Sequence, residues 1–284
     1  MVQLKKIAWF FTIVLLLISC SEDFFDKAID IDVNEHTSKL AGTALLGANN
    51  ESDLVLVSFS QGPFEKTIEN QILKDATVTL TGNNSTIDFQ SNAQNDFFVA
   101  NTNANLNFIP NNEYTLTIAA SNYETITATQ TYPEEVPILE ATITENTLKI
   151  KINDNPNQKN YYLLGLERVE GNETSGVYVV PFGSLTKESG FCYNCVSFND
   201  DTFNGEQDFE IVVGHDSYDF MSEATYRVIL YHITEDFYRY DTTLRISNYA
   251  EDNPFVEPVI LHRNFENGYG VFALVNKTEL IFNN

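Results

Sequence analysis

From Lys39 to the C-terminus, apolar and polar residues alternate with a period of two, in short runs separated by Gly, Asn, Asp and Pro. Successive side chains of a strand point to opposite faces, so this pattern describes strands buried on one side and wet on the other. Leu40 to Leu46, Asp53 to Ser60 and Ala76 to Leu80 read as strands, with Ile87 and Phe89 continuing after the turn Thr81-Gly82-Asn83-Asn84. Phe97 to Ala100, Glu113 to Ala119 and the Thr-rich Tyr123 to Thr131 follow. Short strands at a spacing of roughly ten residues predict a β-sandwich of immunoglobulin-like architecture.

Tyr132-Pro133-Glu134-Glu135-Val136-Pro137 is the best boundary. Proline fixes φ and removes a ladder donor, so two in six residues favour an extended connector. Beyond it, Ile138–Thr144, Thr147–Asn153, Tyr161–Glu167, Gly176–Pro181, Phe209–Val213 and Tyr226–His232 again read as strands, as does the tail from Gly270 to Phe282. Only Glu235 to Asn248 departs from the pattern. Phe237, Tyr240 and Leu244 recur at three and four residues there, which predicts a helix. The expected organisation is a β-sandwich over 37–133 and a second mostly-β domain with one helix over 134–284.

The N-terminus sets an expected address. Lys5 and Lys6 precede an apolar run from Ile7 to Ile18 that only Thr12 interrupts. This is the charged and apolar pair of regions of an export signal, and the run is too short for a membrane span of about 20 residues. Leu17-Ile18-Ser19-Cys20 resembles a bacterial lipobox. That resemblance implies cleavage of residues 1–19, lipidation of Cys20 and a tether over 20–36, with an ordinary signal peptide as the alternative. Several acyl chains would anchor the chain firmly, because each buried methylene adds about 0.8 kcal/mol. Ser21-Glu22-Asp23 resembles the signal that sends Bacteroidota lipoproteins to the cell exterior; the alternatives are a plain acidic tether and the inner leaflet of the outer membrane.

Charge and composition exclude several classes of function. The formal net charge is -24, so no basic face is expected for nucleic acid. The single tryptophan, Trp9, lies within the signal, which weakens a sugar-platform reading of the mature chain. No cofactor is implied. Gly268-Tyr269-Gly270 precedes β-like residues, so it offers no helix N-terminus to a dinucleotide pyrophosphate. His36, His215, His232 and His262 are far apart in sequence, and no catalytic motif accompanies them.

Two local features invite chemistry. Cys192 and Cys195 sit close enough for a small disulfide; a metal pair and a redox pair are the alternatives. Asn199-Asp200-Asp201-Thr202-Phe203-Asn204-Gly205-Glu206 is rich in oxygen ligands but fails the spacing of a calcium loop. An acidic surface turn is the simpler reading, with Asp200, Asp201 and Asn204 as the cation candidates.

Asn253-Pro254-Phe255-Val256-Glu257-Pro258, followed by Asn264-Phe265-Glu266-Asn267-Gly268-Tyr269-Gly270-Val271-Phe272, resembles the C-terminal signature of a Bacteroidota outer-membrane lipoprotein family (domain of unknown function four-two-four-nine). Phe265 stands where Ile is usual. Asp75–Leu80, Tyr114–Ile118 and Val136-Pro137-Ile138 also resemble the family's first domain, and the aromatic helix around Tyr238 and Tyr240 fits it. The resemblance implies a two-domain β lipoprotein of the outer membrane. Family genes often adjoin those of TonB-dependent receptors, which implies a non-enzymatic accessory or ligand-capture subunit of such a receptor. The alternative is an independent binding module or adhesin for a cation, peptide or host surface. Asn264, Asn267, Gly268, Gly270 and Phe272 read as turn and strand structure, with partner docking as the second possibility.

Overall fold

A computed structural model describes residues 36–47, 53–62, 72–92, 97–100, 107–216, 221, 223–251 and 257–284. The export signal, Cys20 and the tether lie outside the described residues. Thr37–Asn284 forms one compact unit.

The chain is mainly β. Its first run contains β1 (Leu40–Leu46), β2 (Leu54–Phe59), β3 (Thr77–Gly82), β4 (Ser85–Ser91), β5 (Phe98–Ala100), β6 (Glu113–Ala119) and β7 (Ile126–Thr131). Alternation decides which residues turn inward. Leu40, Ala44 and Leu46 of β1 meet Tyr114, Leu116 and Ile118 of β6 and Ile126 and Ala128 of β7 in one apolar core. Asn83 and Asn84 make the two-residue turn between β3 and β4, both at positive φ, as a hairpin that follows strand twist requires.

The second run contains β8 (Ile138–Ile143), β9 (Thr147–Ile152), β10 (Tyr161–Glu170), β11 (Glu173–Val177), β12 (Val179–Val180), β13 (Lys187–Glu188), β14 (Cys195–Asn199), β15 (Phe209–His215) and β16 (Thr225–Ile233). The helix α1 (Glu235–Glu251) and the long strand β17 (Tyr269–Asn283) complete the chain. The sheet β12-β15-β9-β8 packs on β10 and β16. Leu148, Ile150 and Ile211 from the one meet Tyr162, Leu164, Val228 and Leu230 from the other in a second core.

β10 is buried on both faces. Tyr162 and Leu164 enter the second core, whereas Tyr161 and Leu163 lie under Phe237 of α1. A strand covered twice loses the alternating burial of an edge strand. The helix runs three residues beyond the segment read from the sequence, and β14 is a strand that the sequence pattern did not single out.

β17 joins everything. Tyr269 to Leu274 pair in parallel with β1, and Val275 to Asn283 pair antiparallel with β16. Sequence order puts β17 with the second run, yet Phe272 and Leu274 lie in the first core. One sheet therefore runs β13-β14-β10-β16-β17-β1-β2-β5-β4-β3-β6-β7, with β11 on β10. Gly270 makes the parallel join possible. It faces Gly42 at φ +92, and a Cβ there would lie 1.9 Å from the Gly42 carbonyl oxygen.

Candidate functional site

The C-terminal motif turns its side chains inward. The Asn264 amide donates from Nδ2 to the Phe272 carbonyl at 2.7 Å, and its Oδ1 accepts from the Phe272 N–H at 2.9 Å. One asparagine thus mimics a strand partner for β17. Asn267 makes the turn at φ 63, and Gly268 packs against Ile126 where a side chain would not fit. Phe272 is fully buried. These residues build the scaffold, and the exposed groups stand beside them.

The scaffold is pinned by Asp236, which the sequence reading did not single out. Thr234 precedes α1, and its carbonyl accepts the first helical hydrogen bonds from Phe237 and Tyr238. Glu235 and Asp236 then place negative charge in the first turn, where the helix dipole favours it. Asp236 Oδ2 accepts from Gln130 Nε2 at 2.7 Å and from Asn264 Nδ2 at 3.2 Å. Asp236 Oδ1 accepts from His262 Nε2 at 2.7 Å. One carboxylate therefore ties β7 and the segment before β17 to the start of α1. Partial burial by itself raises the Asp236 pKa, but the bonds from His262, Gln130 and Asn264 outweigh it and hold the group below the usual carboxylate range.

Two grooves flank this node. The first, about 480 Å³, has a mixed polar and apolar lining and lies where β7, the connector, the loop before β10 and the start of α1 meet. Gln130, Tyr132, Lys159, Tyr161, Asp236 and Arg239 line it. Its cations are paired at the rim: Lys159 with Asp201 at 2.5 Å and Arg239 with Glu235 at 2.6 Å. The second, about 470 Å³, is apolar and is lined by Ala41, Tyr240, Ile260, Leu261, His262 and Tyr269, among others. Ile260 is 90% exposed, and Arg263 lies over the Tyr269 ring at 5.2 Å. His262 lines the apolar groove and Asp236 the mixed one, so their contact forms the partition.

The acidic turn spreads its three cation candidates apart. Asp200 is buried, and its Oδ2 accepts from the Asn160 backbone N–H at 2.8 Å. The Asn160 side chain bonds Asp154 at 3.1 Å, and Tyr162 Oη donates to the same Asp154 oxygen at 2.6 Å. Burial pushes the Asp200 pKa up. Asp201 turns to Lys159, whose hydrogen bond holds its pKa down, and Asn204 is exposed. Among the described residues, no three His, Cys, Asp or Glu side chains are grouped as metal ligands would be. Cys192 and Cys195 are joined in a disulfide. His232, stacked on Tyr162 with its Nδ1 donating to the Glu134 carbonyl at 2.8 Å, has its pKa lowered by burial. No helix among the described residues is long and apolar enough to cross a membrane.

The sequence carried no signal for the Gln130–Asp236 contact, because the partners are 106 residues apart. Ile260 and Leu261 were legible only as two apolar residues before a motif.

The chain belongs to the family described as Domain of unknown function (DUF4249), whose model matches residues 26–281. No curated protein matches it.

Proposed function

From membership in that family, we propose that this chain is a lipoprotein of the outer membrane, anchored through Cys20 and facing the cell exterior. It acts as a non-enzymatic accessory or ligand-capture subunit of a TonB-dependent receptor. The observation that carries this reading is the apolar groove around Ile260, Leu261 and Tyr269. An isoleucine left 90% exposed beside a fully bonded scaffold is a surface waiting to be covered. Covering it would return about 25 cal/mol for each Å² of apolar area. The adjoining mixed groove, with paired charges at its rim, suits an amphipathic ligand held close to that partner.

The test is a pull-down of the full-length, C-terminally tagged chain from native outer membranes in gentle detergent. A large β-barrel in near-equal amount is the expected result, lost in Ile260→Asp without a change in melting temperature. A chain that comes down alone, or an Ile260→Asp variant that keeps its barrel, overturns the assignment. The other reading is an independent binding module or adhesin. It draws on the net charge of -24, which steers cationic ligands toward the chain, and it predicts the solitary outcome.

A further inference from the structure

The disulfide turn presents an aromatic patch that neither groove includes. Tyr178 precedes β12, Glu188 ends β13, Tyr193 lies between the two cysteines, and Tyr249 sits in the last turns of α1. The Tyr178 and Tyr193 rings are 5.2 Å apart at 36°. Tyr249 Oη donates to Glu188 Oε2. Burial comes first in raising the Tyr178 pKa, followed by Glu188 and then Tyr193, so the carboxylate acts on the Tyr178 ring. Glu188 likewise raises that of Tyr249, and Arg245 on the same helix acts in the opposite direction.

Tyr193 is 84% exposed and Tyr249 63%, yet the turn beneath them is firmly built. Ser189 Oγ donates to the buried Asp241 Oδ1 at 2.5 Å, and the Phe191 N–H donates to the same oxygen at 3.0 Å. The Cys192 N–H donates to Ser189 Oγ at 2.9 Å. Gly190 presses on the helix backbone, where a Cβ would meet the Arg245 nitrogen at 2.3 Å. Phe191 meets Phe237 edge-on at 5.2 Å. Beneath these contacts the Cys192–Cys195 bridge closes the turn. Large rings held rigid and left in water lose little side-chain entropy when a partner covers them.

We propose that this patch binds a cationic peptide segment, with an arginine side chain seated against the Tyr178–Tyr193 pair and Glu188. The tyrosine faces attract a cation, and the carboxylate accepts its hydrogen bonds. The rings pack on each other and are tilted by 36°, so the guanidinium stacks on the exposed face of Tyr193 rather than on the flat floor that a sugar ring prefers. The chain carries 40 acidic against 16 basic residues, which steers such a segment inward. This binding does not depend on a receptor partner, because the patch shares no residue with the apolar groove.

The test is fluorescence anisotropy of the full-length chain in mild detergent with a labelled arginine–glycine repeat peptide. A lysine–glycine peptide of equal charge and a neutral glucose hexasaccharide serve as comparison probes. The arginine peptide should bind more tightly than the lysine one, because a guanidinium also stacks on a ring. Tyr193→Leu leaves net charge and melting temperature unchanged and should weaken the arginine peptide about 2- to 5-fold, and Tyr178→Leu with Tyr193→Leu about 5- to 30-fold. Glu188→Gln should weaken it further than an equivalent change at the distant Glu113. Equal binding by the tyrosine variants would mean general attraction to an acidic surface and overturns the proposal. No binding of the arginine peptide overturns it as well, and so does Tyr193-dependent binding of the hexasaccharide alone.

Discussion

Two carboxylate centres organise this molecule, and they are built on opposite plans. The first is the knot of Asp154, Asn160, Tyr162 and Asp200, closed to water inside the second run of strands. Its donors are neutral: an amide, a phenol and backbone N–H groups, including that of Gly205 to Asp154 Oδ2 at 2.8 Å. The second is Asp236, partly exposed between two grooves, whose donors include the titratable His262. A buried carboxylate is tolerated when hydrogen-bonded, and these donors make the knot part of the fold. A carboxylate at a rim can exchange a donor for water or a ligand. The difference separates the part of the molecule that specifies the fold from the part that can respond.

The largest effect that tests this contrast is Asp154→Ala. It strands the Tyr162 hydroxyl and the Gly205 N–H, while the Asn160 amide keeps Asp200 and the Asn155 and Gln158 carbonyls as acceptors. Each unsatisfied group costs about 1–3 kcal/mol, so chemical denaturation should show a loss of roughly 3–5 kcal/mol. Asp236→Ala removes as many side-chain bonds, but water can reach the vacated donors. The same measurement should show a loss of about 1–2 kcal/mol. A loss at Asp236 equal to that at Asp154 would erase the distinction.

The smallest effect is in the pH profile, where the two centres should carry opposite signs. The folded pKa of Asp236 is lowered, so its contribution is present above the unfolded value of about 3.9 and fades as pH falls through the folded one. The folded pKa of Asp200 is raised, so the wild type gains on acidification through that value relative to a non-titrating variant. Melting curves from pH 7 to the acid limit should therefore bring Asp236→Asn closer to wild type as pH falls. Asp200→Asn should fall further behind over the interval between the raised folded value and the unfolded one. Parallel trends in the two variants would show that the shifts do not differ in sign.

Side-chain period and turn residues were enough to read most strands, the Asn83-Asn84 hairpin and the helix after Thr234, because period and turn chemistry are local properties. The two prolines of Tyr132 to Pro137 suggested a boundary, whereas Thr37–Asn284 forms one compact unit and the first core also takes Phe265, Phe272 and Leu274 from the chain's end. β14 escaped because the disulfide turn next to it reads as strand or loop.

What the chain order could not contain is the double role of β17 and everything that depends on it. Nothing in Tyr269 to Asn283 says that one half will pair with a strand more than two hundred residues earlier and the other with its near neighbour. Pairing is decided by which open sheet edges the folded cores present, and that is a property of three dimensions. The Asp236 node and the two grooves beside it arise from the same cause, since they join residues of the first run to α1 and the chain's end. Each gathers side chains from segments that only the closing of the sheet brings together. The alternation determined which face of most strands would be buried, and the tertiary structure decided where a strand such as β10 would be covered twice and which exposed residues would share a surface.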